Sequence, residues 1–342
     1  MNNTSFRVGI TSDFKTNAKG LLEPALTAVL DPVPGIQYEL MSDTSGVGAP
    51  EVLDRYDAVI ALDYRFPAES FVGLQRLAVI ARWGVGYDKI DVHACTEAGV
   101  LLAITPDSVR RPVAEGIIAM IFALAKNLRT LDRQIRAGRW RRELPVVVDL
   151  EGRSLGSIGL GNIAGEMFRI ARAVGFGRLL AYSRPTQSNA AALGVEVTDL
   201  DTVMRESDFV AINCPLTPES RGMIGARELA LMKPTAFLIN TARGAVVDET
   251  ALVEALRQRT IAGAGLDVFA TEPIPDNHPL LELDNVVLSP HLIARTDGCI
   301  RDTSLSACRN VLAVARGATP PHVANPEVLA HPRVRARLAA VT

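Results

Sequence analysis

Cysteine and histidine are scarce in this chain, with four of one and five of the other among 342 residues. Cys95, Cys214, Cys299 and Cys308 form no CxxC pair and keep no metal-ligand spacing. That pattern excludes zinc ribbons and disulfide-stapled scaffolds, and no metal site is expected. Scattered single thiols read as the reduced cysteines of a cytoplasmic protein. Charge of one sign is also missing: 36 Lys and Arg stand against 38 Asp and Glu, for a net charge of -2, with no basic arm or acidic tail. Nothing therefore supports binding to nucleic acid or to an anionic membrane. The apolar run around Gly116–Ala125 is too short to span a bilayer and ends at Lys126. The N-terminus, MNNTSFRVGI, has no basic segment leading into an apolar one, so no signal peptide is expected.

What is present is alternation. The length predicts about two domains. Short apolar runs read as strands at 7–10, 58–62, 78–81, 101–104, 155–159, 179–182, 209–212, 236–240, 264–266 and 286–289. Helical stretches fall between them, notably 112–128, 164–174, 199–206 and 249–257. Repeated βα alternation predicts an α/β fold with parallel sheets covered by helices on both faces. The tail from Pro320 to Thr342, rich in Pro and Arg, reads as poorly packed. The stretch Arg110–Leu128 (RRPVAEGIIAMIFALAKNL) is apolar nearly all round, and such a helix is buried on every side. An interdomain helix or one covered by a second subunit would account for it; the second reading leads to a homodimer.

The stretch Leu155–Ala173 carries a dinucleotide fingerprint. A strand runs into Gly159-x-Gly161-x-x-Ala164, and an amphipathic helix follows. Gly159 permits the tight turn, Gly161 lets backbone approach a pyrophosphate, and Ala164 keeps helix and strand close. The helix start, with Asn162 and Ile163, offers free N–H groups and a positive dipole end to phosphates. At the end of the next strand, NAD sites usually place an acid on the ribose 2′-hydroxyl. Here Ser183 and Arg184 stand instead, residues that would donate to a 2′-phosphate. NADP is therefore the favoured cofactor, with NAD as the alternative.

Four downstream segments carry polar residues where strands end: NCPLTPES, NTARGAVVDE, GAGLDVFATEP and LSPHLIART. Ligands of open α/β sheets sit at the carboxyl ends of strands, so Arg243, Asp267, Glu272 and His291 can converge on one crevice. Singly, each has a plainer reading as a packing or surface residue. Together they suit one chemistry. Hydride addition to a ketone needs a proton on its oxygen, and His titrates nearest neutral pH. A neighbouring carboxylate favours imidazolium, and Arg grips a carboxylate through two N–H groups.

At these residues the chain resembles the D-isomer-specific 2-hydroxyacid dehydrogenases, which include phosphoglycerate dehydrogenase, glyoxylate/hydroxypyruvate reductases and D-lactate dehydrogenase. The matching runs are GVGYDKIDVHACTEAGV, TPDSVRRPVAEG, IRAGRW, LGSIGLGNIAG, CPLTPES, INTARGAVVDETAL, GAGLDVFATEPIPDNHPLL and NVVLSPH, spanning Arg82 to His291. The resemblance implies hydride transfer between NAD(P)H and a small 2-keto or D-2-hydroxy acid such as glyoxylate, hydroxypyruvate or a sugar-derived acid. It implies that Arg243 binds the substrate carboxylate, that His291 moves the proton, and that Glu272 keeps His291 protonated. Asp267 would sit near the nicotinamide, and Pro215, Thr241 and Ala242 would line the cofactor. The loop from Trp83 through Val85 and Gly86 would offer N–H groups to the substrate.

The resemblance also implies two Rossmann-like or flavodoxin-like domains with an interdomain active-site cleft. Residues 1–104 and 291–342 would form the discontinuous substrate domain, and 105–290 the dinucleotide-binding domain. No C-terminal regulatory domain is expected. Three departures or rivals remain. The turn Leu292-Ile293-Ala294-Arg295 differs from the family's Gly-rich or aromatic one. Arg110 and Arg111 stand where many relatives are uncharged, as solvent-facing charge or a second anion contact. A dinucleotide-sensing corepressor of the same fold is the alternative to an enzyme. Formate oxidation is disfavoured by Glu272, where formate-specific relatives carry an amide. Phosphite oxidation is disfavoured by the absence of a basic residue in Trp83–Gly86.

Overall fold

A computed structural model describes residues 5–141, 146–183 and 190–339. The chain divides into two compact units, residues 1–109 with 296–342 and residues 110–295. The first is built on five parallel strands: β1 (Phe6–Ile10), β2 (Ile36–Leu40), β3 (Ala58–Ala61), β4 (Val79–Arg82) and β5 (Leu101–Ala103). Their order, β2-β1-β3-β4-β5, is that of a flavodoxin-like sheet. Both faces are buried, which explains why the strands read as apolar runs rather than alternating ones. Ala58 and Ile60 enter one core with Val79 and Ala81, while Val59 and Ala61 enter the other with Ile80 and Leu102.

The second unit holds seven parallel strands: β6 (Ser154–Ile158), β7 (Arg178–Tyr182), β8 (Glu196–Val197), β9 (Phe209–Ile212), β10 (Phe237–Asn240), β11 (Gly263–Leu266) and β12 (Val286–Leu288). They lie in the order β12-β11-β10-β9-β6-β7-β8. The order reverses between the parallel neighbours β6 and β9: β7 and β8 are added on one side of β6, and β9 to β12 on the other, and such switch points are where dinucleotides bind. Val210 and Leu238 face one core, and Phe209, Ala211 and Ile239 face the other.

Two strands escape the sequence reading. β2 is an edge strand whose last four residues are all exposed, and β8 is two exposed residues long. β2 alternates as IQYEL but leaves Tyr38 and Leu40 exposed, and β8 is too short to show a pattern. The tail reading is corrected. Asn325 is fully buried, accepting from the Leu102 N–H and donating to the Val100 carbonyl at 3.0 Å. Val328 and Val334 are buried in the first unit's core. One side chain that satisfies strand-end backbone groups anchors a segment whose composition alone looks loose.

The long apolar helix is corrected too. It runs Pro106–Ala125 with Pro112 inside it, and after Asn127 in the left-handed region a second helix covers Leu128–Arg136. Ile117, Ile118, Met120, Ile121 and Leu124 are buried in the core of residues 110–295 itself. Covering its apolar sides therefore calls for little from a second subunit, although Phe122 stays 38% exposed. No described helix is long and apolar enough to cross a membrane.

Candidate active site

The fingerprint turn leaves β6 at Gly159, whose φ of +101° lies in the left-handed region open to glycine. A Cβ there would sit 2.8 Å from the Asn213 carbonyl carbon, so the turn after β9 presses directly on it. The Gly159 N–H donates to the Tyr182 carbonyl at 2.7 Å, tying the turn to the end of β7. Gly161 differs: a Cβ on it would meet nothing within 4 Å. It is the N-cap of the helix Asn162–Val174, and no side chain among the described residues caps that helix. The first N–H groups, those of Asn162 and Ile163 included, thus face open space at a positive dipole end. An open, uncapped helix start beside a glycine fits a pyrophosphate. Ser183 follows β7; Arg184 lies outside the described residues.

Three turns at the carboxyl ends of β10, β11 and β12 carry the acid–base residues. Asn240 ends β10 and is 1% exposed. Its side chain accepts from the Ala242 N–H at 3.0 Å and donates to the Arg243 carbonyl at 2.9 Å, which clamps the Thr241–Arg243 turn. Gly244 comes next. A Cβ on it would collide with the Phe269 carbonyl, so this turn lies flat against the loop after β11. That contact brings Arg243 beside Glu272.

Glu272 is followed by a cis proline bond. Its Oε1 accepts from the Phe269 N–H at 3.0 Å, and its Oε2 lies 2.8 Å from His291 Nδ1. Burial alone would raise this carboxyl. The hydrogen bond and charge of His291, the Phe269 N–H and the charge of Arg243 together hold it below the ordinary Glu value. The same loop is tied down by Glu249, which accepts from the Ala270 N–H and lies 3.1 Å from His278 Nε2.

His291 follows β12 with a φ of +56°, unusual for a residue with a side chain. Asp267 holds it there. Its carbonyl accepts the His291 N–H at 2.7 Å, and its Oδ1 accepts those of Leu292 and Ile293 at 3.0 and 3.1 Å. Asp267 is 2% exposed, and burial pushes its carboxyl up. The unusual turn noted in the sequence has its own seat. Ile293 packs on Gly116 so closely that a Cβ on that glycine would collide with it. These contacts keep His291 through Arg295 in the compact unit 110–295, five residues past the boundary at 290 read from sequence.

The loop after β4 belongs to the other unit. Arg82 donates to the carbonyls of Trp83 and Gly86 at 2.6 and 2.9 Å, and Thr105 N–H donates to that of Gly84 at 3.0 Å. With its carbonyls drawn inward, the loop leaves the Val85 and Gly86 N–H groups with no protein acceptor among the described residues. Of the two arginines on the long helix, Arg111 pairs with Glu115 at 2.5 Å and Glu166 at 2.9 Å. That satisfies it on the surface. Arg110 keeps a buried Nε with no hydrogen-bond partner.

The structure therefore gathers Arg243, Asp267, Glu272 and His291 on adjacent turns of one sheet edge. The sequence reading missed Asn240, Gly244 and Glu249, which position those turns, and Arg82, which holds the Trp83–Gly86 loop of the other unit; a buried Asn closing a strand (FLIN) was the available signal.

Residues 118–292 match the family described as D-isomer specific 2-hydroxyacid dehydrogenase, NAD binding domain. A glyoxylate reductase of Korarchaeum cryptofilum is 38% identical over 303 residues, covering 86% of this chain and 91% of its own. The crystal structure of a glyoxylate reductase from Paecilomyes thermophila superposes with a TM-score of 0.82 at 27% identity, over 94% of this chain and 99% of that one. A D-lactate dehydrogenase from Aquifex aeolicus, solved with NAD and lactic acid, gives 0.80 at 27% identity, over 93% and 99%. With an open dinucleotide turn, a His–Glu pair and this degree of likeness, the chain belongs to the D-isomer specific 2-hydroxyacid dehydrogenase family and is an NAD(P)-dependent oxidoreductase of small 2-keto and 2-hydroxy acids.

Proposed function

We propose that the protein is a glyoxylate reductase that prefers NADPH, accepting hydroxypyruvate as a second substrate. The observation that carries the chemistry is the 2.8 Å contact between His291 Nδ1 and Glu272 Oε2. With Nδ1 committed to the carboxylate, Nε2 is the nitrogen free to face a substrate oxygen. The Gly159–Ile163 turn would hold the pyrophosphate of a nicotinamide dinucleotide, whose ring would supply or take the hydride. His291 delivers a proton to the keto oxygen in reduction and removes it in oxidation. Glu272 stabilises the charged imidazole and fixes its ring. Arg243 grips the substrate carboxylate and polarises the carbonyl. The Val85 and Gly86 N–H groups supply a further pair of donors to that carboxylate. Asp267 fixes the His291 turn and Pro215, Thr241 and Ala242 line the dinucleotide. Of the residues assigned to the substrate, Val85 and Gly86 belong to the unit of residues 1–109 and 296–342, and Arg243 and His291 to the unit of residues 110–295.

The cofactor preference rests on Ser183 and Arg184, which suit a 2′-phosphate better than a 2′-hydroxyl. A homodimer is supported by apolar side chains left exposed on one stretch of chain: Phe122, Leu128, Ile135, Trp140 and Val146. The four free thiols suit the cytoplasm. The reading is tested by kcat/KM for glyoxylate, hydroxypyruvate, pyruvate and larger 2-keto acids with NADPH and with NADH, followed by absorbance loss. Glyoxylate with NADPH should rank first. A higher value for pyruvate, or for NADH, contradicts the corresponding part of it. Light scattering after size exclusion checks the dimer, and a monomer at micromolar concentration excludes it.

A further inference from the structure

The amino edge of the five-stranded sheet holds a cleft of about 370 Å³ that the reaction does not use. Its floor is the chain entering β4 and β5, at Gln75, Leu77 and Gly99, and its wall is the helix Pro332–Ala339, with Arg333 and Arg337. The loop Trp83–Gly86 leaves the opposite, carboxyl edge of the same sheet, so the cleft and the proposed substrate loop lie at the two ends of β4.

Three guanidinium groups crowd the cleft and its border. Arg76 is paired with Asp57 at 2.7 Å. Arg337 reaches the same carboxylate at 3.6 Å and donates to the Arg76 carbonyl at 3.2 Å. Its Nη1 is buried with no hydrogen-bond partner. Arg333 donates to the carbonyls of Ala98, Gln75 and Leu77 and meets no carboxylate among the described residues. Asp57 is itself shared with the Arg7 N–H at 2.8 Å, and the nearby Asp54 is taken by the N–H groups of Gln75 and Arg76. Glu97 and His331 line the neighbouring cleft, on the other side of Arg333. Burial, aided by the charges of Arg333 and Arg76 and opposed by that of Asp57, pushes the Arg337 guanidinium below its ordinary value. Arginine stays charged regardless.

We propose that this cleft is a second, non-catalytic site for a small oxyanion, a phosphate or a short carboxylate held by Arg337 and Arg333. A tetrahedral or planar oxyanion supplies negative charge where three cations face two carboxylates, Asp57 and the N–H-bound Asp54, and a small turn of the Arg337 fork toward the cleft gives the buried Nη1 the acceptor it lacks. Bound there, it ties the helix Pro332–Ala339 to the entry of β4 and β5.

The test is thermal unfolding of the full chain, saturated with NADPH, in rising inorganic phosphate against sodium chloride of equal ionic strength. The wild type should gain a saturable rise of roughly 2–4 °C once phosphate exceeds its dissociation constant about fivefold. Arg337→Met, which keeps the stem but not the fork, should lose the rise while turning over glyoxylate as before. An equal rise in both proteins places phosphate elsewhere and overturns the proposal, as does no rise in either. Should Arg337→Met fail to fold, phenylglyoxal modification of the wild type read by peptide mass decides. Phosphate must slow labelling of Arg333 and Arg337; labelling unchanged by phosphate overturns the proposal.

Discussion

Replacing Glu272 by Gln separates the charge of His291's partner from its shape. The Gln carbonyl can keep accepting the Phe269 N–H, now at 3.0 Å to Oε1. Its amide then points donor hydrogens at His291 Nδ1, where the carboxylate accepts at 2.8 Å. The ring must turn Nδ1 into an acceptor, and the doubly protonated imidazole loses its counter-charge. Two unit charges with centres about 4 Å apart interact by roughly 4 kcal/mol at an effective dielectric of about 20. The side chains are 45% and 36% exposed, so solvent screens much of that. About 1.5–2.5 kcal/mol remains, the range of a hydrogen bond to a charged group. At 1.36 kcal/mol per decade, kcat for keto-acid reduction should fall about 10–70-fold near neutral pH. KM for the keto acid, set by Arg243, should move far less than kcat. The assay is NADPH absorbance loss across the pH range. Wild-type kcat for Glu272→Gln at neutral pH would refute the reasoning.

Other substitutions probe the neighbouring parts. Arg243→Ala should raise the keto-acid KM and lower kcat/KM by about 10²-fold or more, the cost of a lost charge-assisted clamp; unchanged kinetics remove Arg243 from the site. Gly159→Ala puts a Cβ 2.8 Å from the Asn213 carbonyl carbon at a φ of +101°, so NADPH binding by fluorescence titration should weaken at least about tenfold, and unaltered binding contradicts the turn's role. Asp267 and Glu272 respond to pH with opposite signs. Glu272 lies below its ordinary 4.5, so its stabilising contribution is present above that value and lost as pH falls through its lower folded value. Asp267 is raised above 3.8, so its contribution is full below that value and lost as pH rises through its higher folded value. Asp267→Asn keeps an acceptor for Leu292 and Ile293 and sheds the buried charge, so its Tm near neutral pH should not fall. Asp267→Ala strands both N–H groups at about 1–3 kcal/mol each and should lower Tm by several degrees; equal Tm values for the two variants would contradict this.

The parts of the molecule legible in the sequence are those where one residue type has one use. The glycines of the fingerprint turn, the apolar strands buried on both faces, and the polar residues at strand ends all announce themselves. The edge strands are harder: β8 is two exposed residues long, and β2, though it alternates as IQYEL, leaves Tyr38 and Leu40 exposed at the sheet edge. The same holds for the supports of the site. Asp267 holds the His291 turn only because strands distant in sequence lie side by side, and no local pattern encodes that, whereas Asn240 clamps its own turn through Ala242 and Arg243, two and three residues on. Asp267 was legible as a site residue, but its grip on the Leu292 and Ile293 N–H groups was not. The tail misleads for the reverse reason: its Pro and Arg content suggests looseness, while the Asn325 side chain, the Ala324 N–H on the Leu102 carbonyl and the buried Val328 and Val334 tie it to β5 and the core. Arg110 and Arg111 read alike in the sequence, but Glu115 four residues on and Glu166 on another helix take up Arg111, while the buried Arg110 Nε has no hydrogen-bond partner.

The central claim is that His291 moves the proton. The direct measurement is single-turnover reduction of glyoxylate by His291→Gln preloaded with NADPH, alongside the NADPH dissociation constant of the same protein. The account predicts a rate lower by about 10²–10⁴-fold with cofactor affinity nearly unchanged. Turnover close to that of the wild type, in a variant that binds NADPH normally, would contradict it.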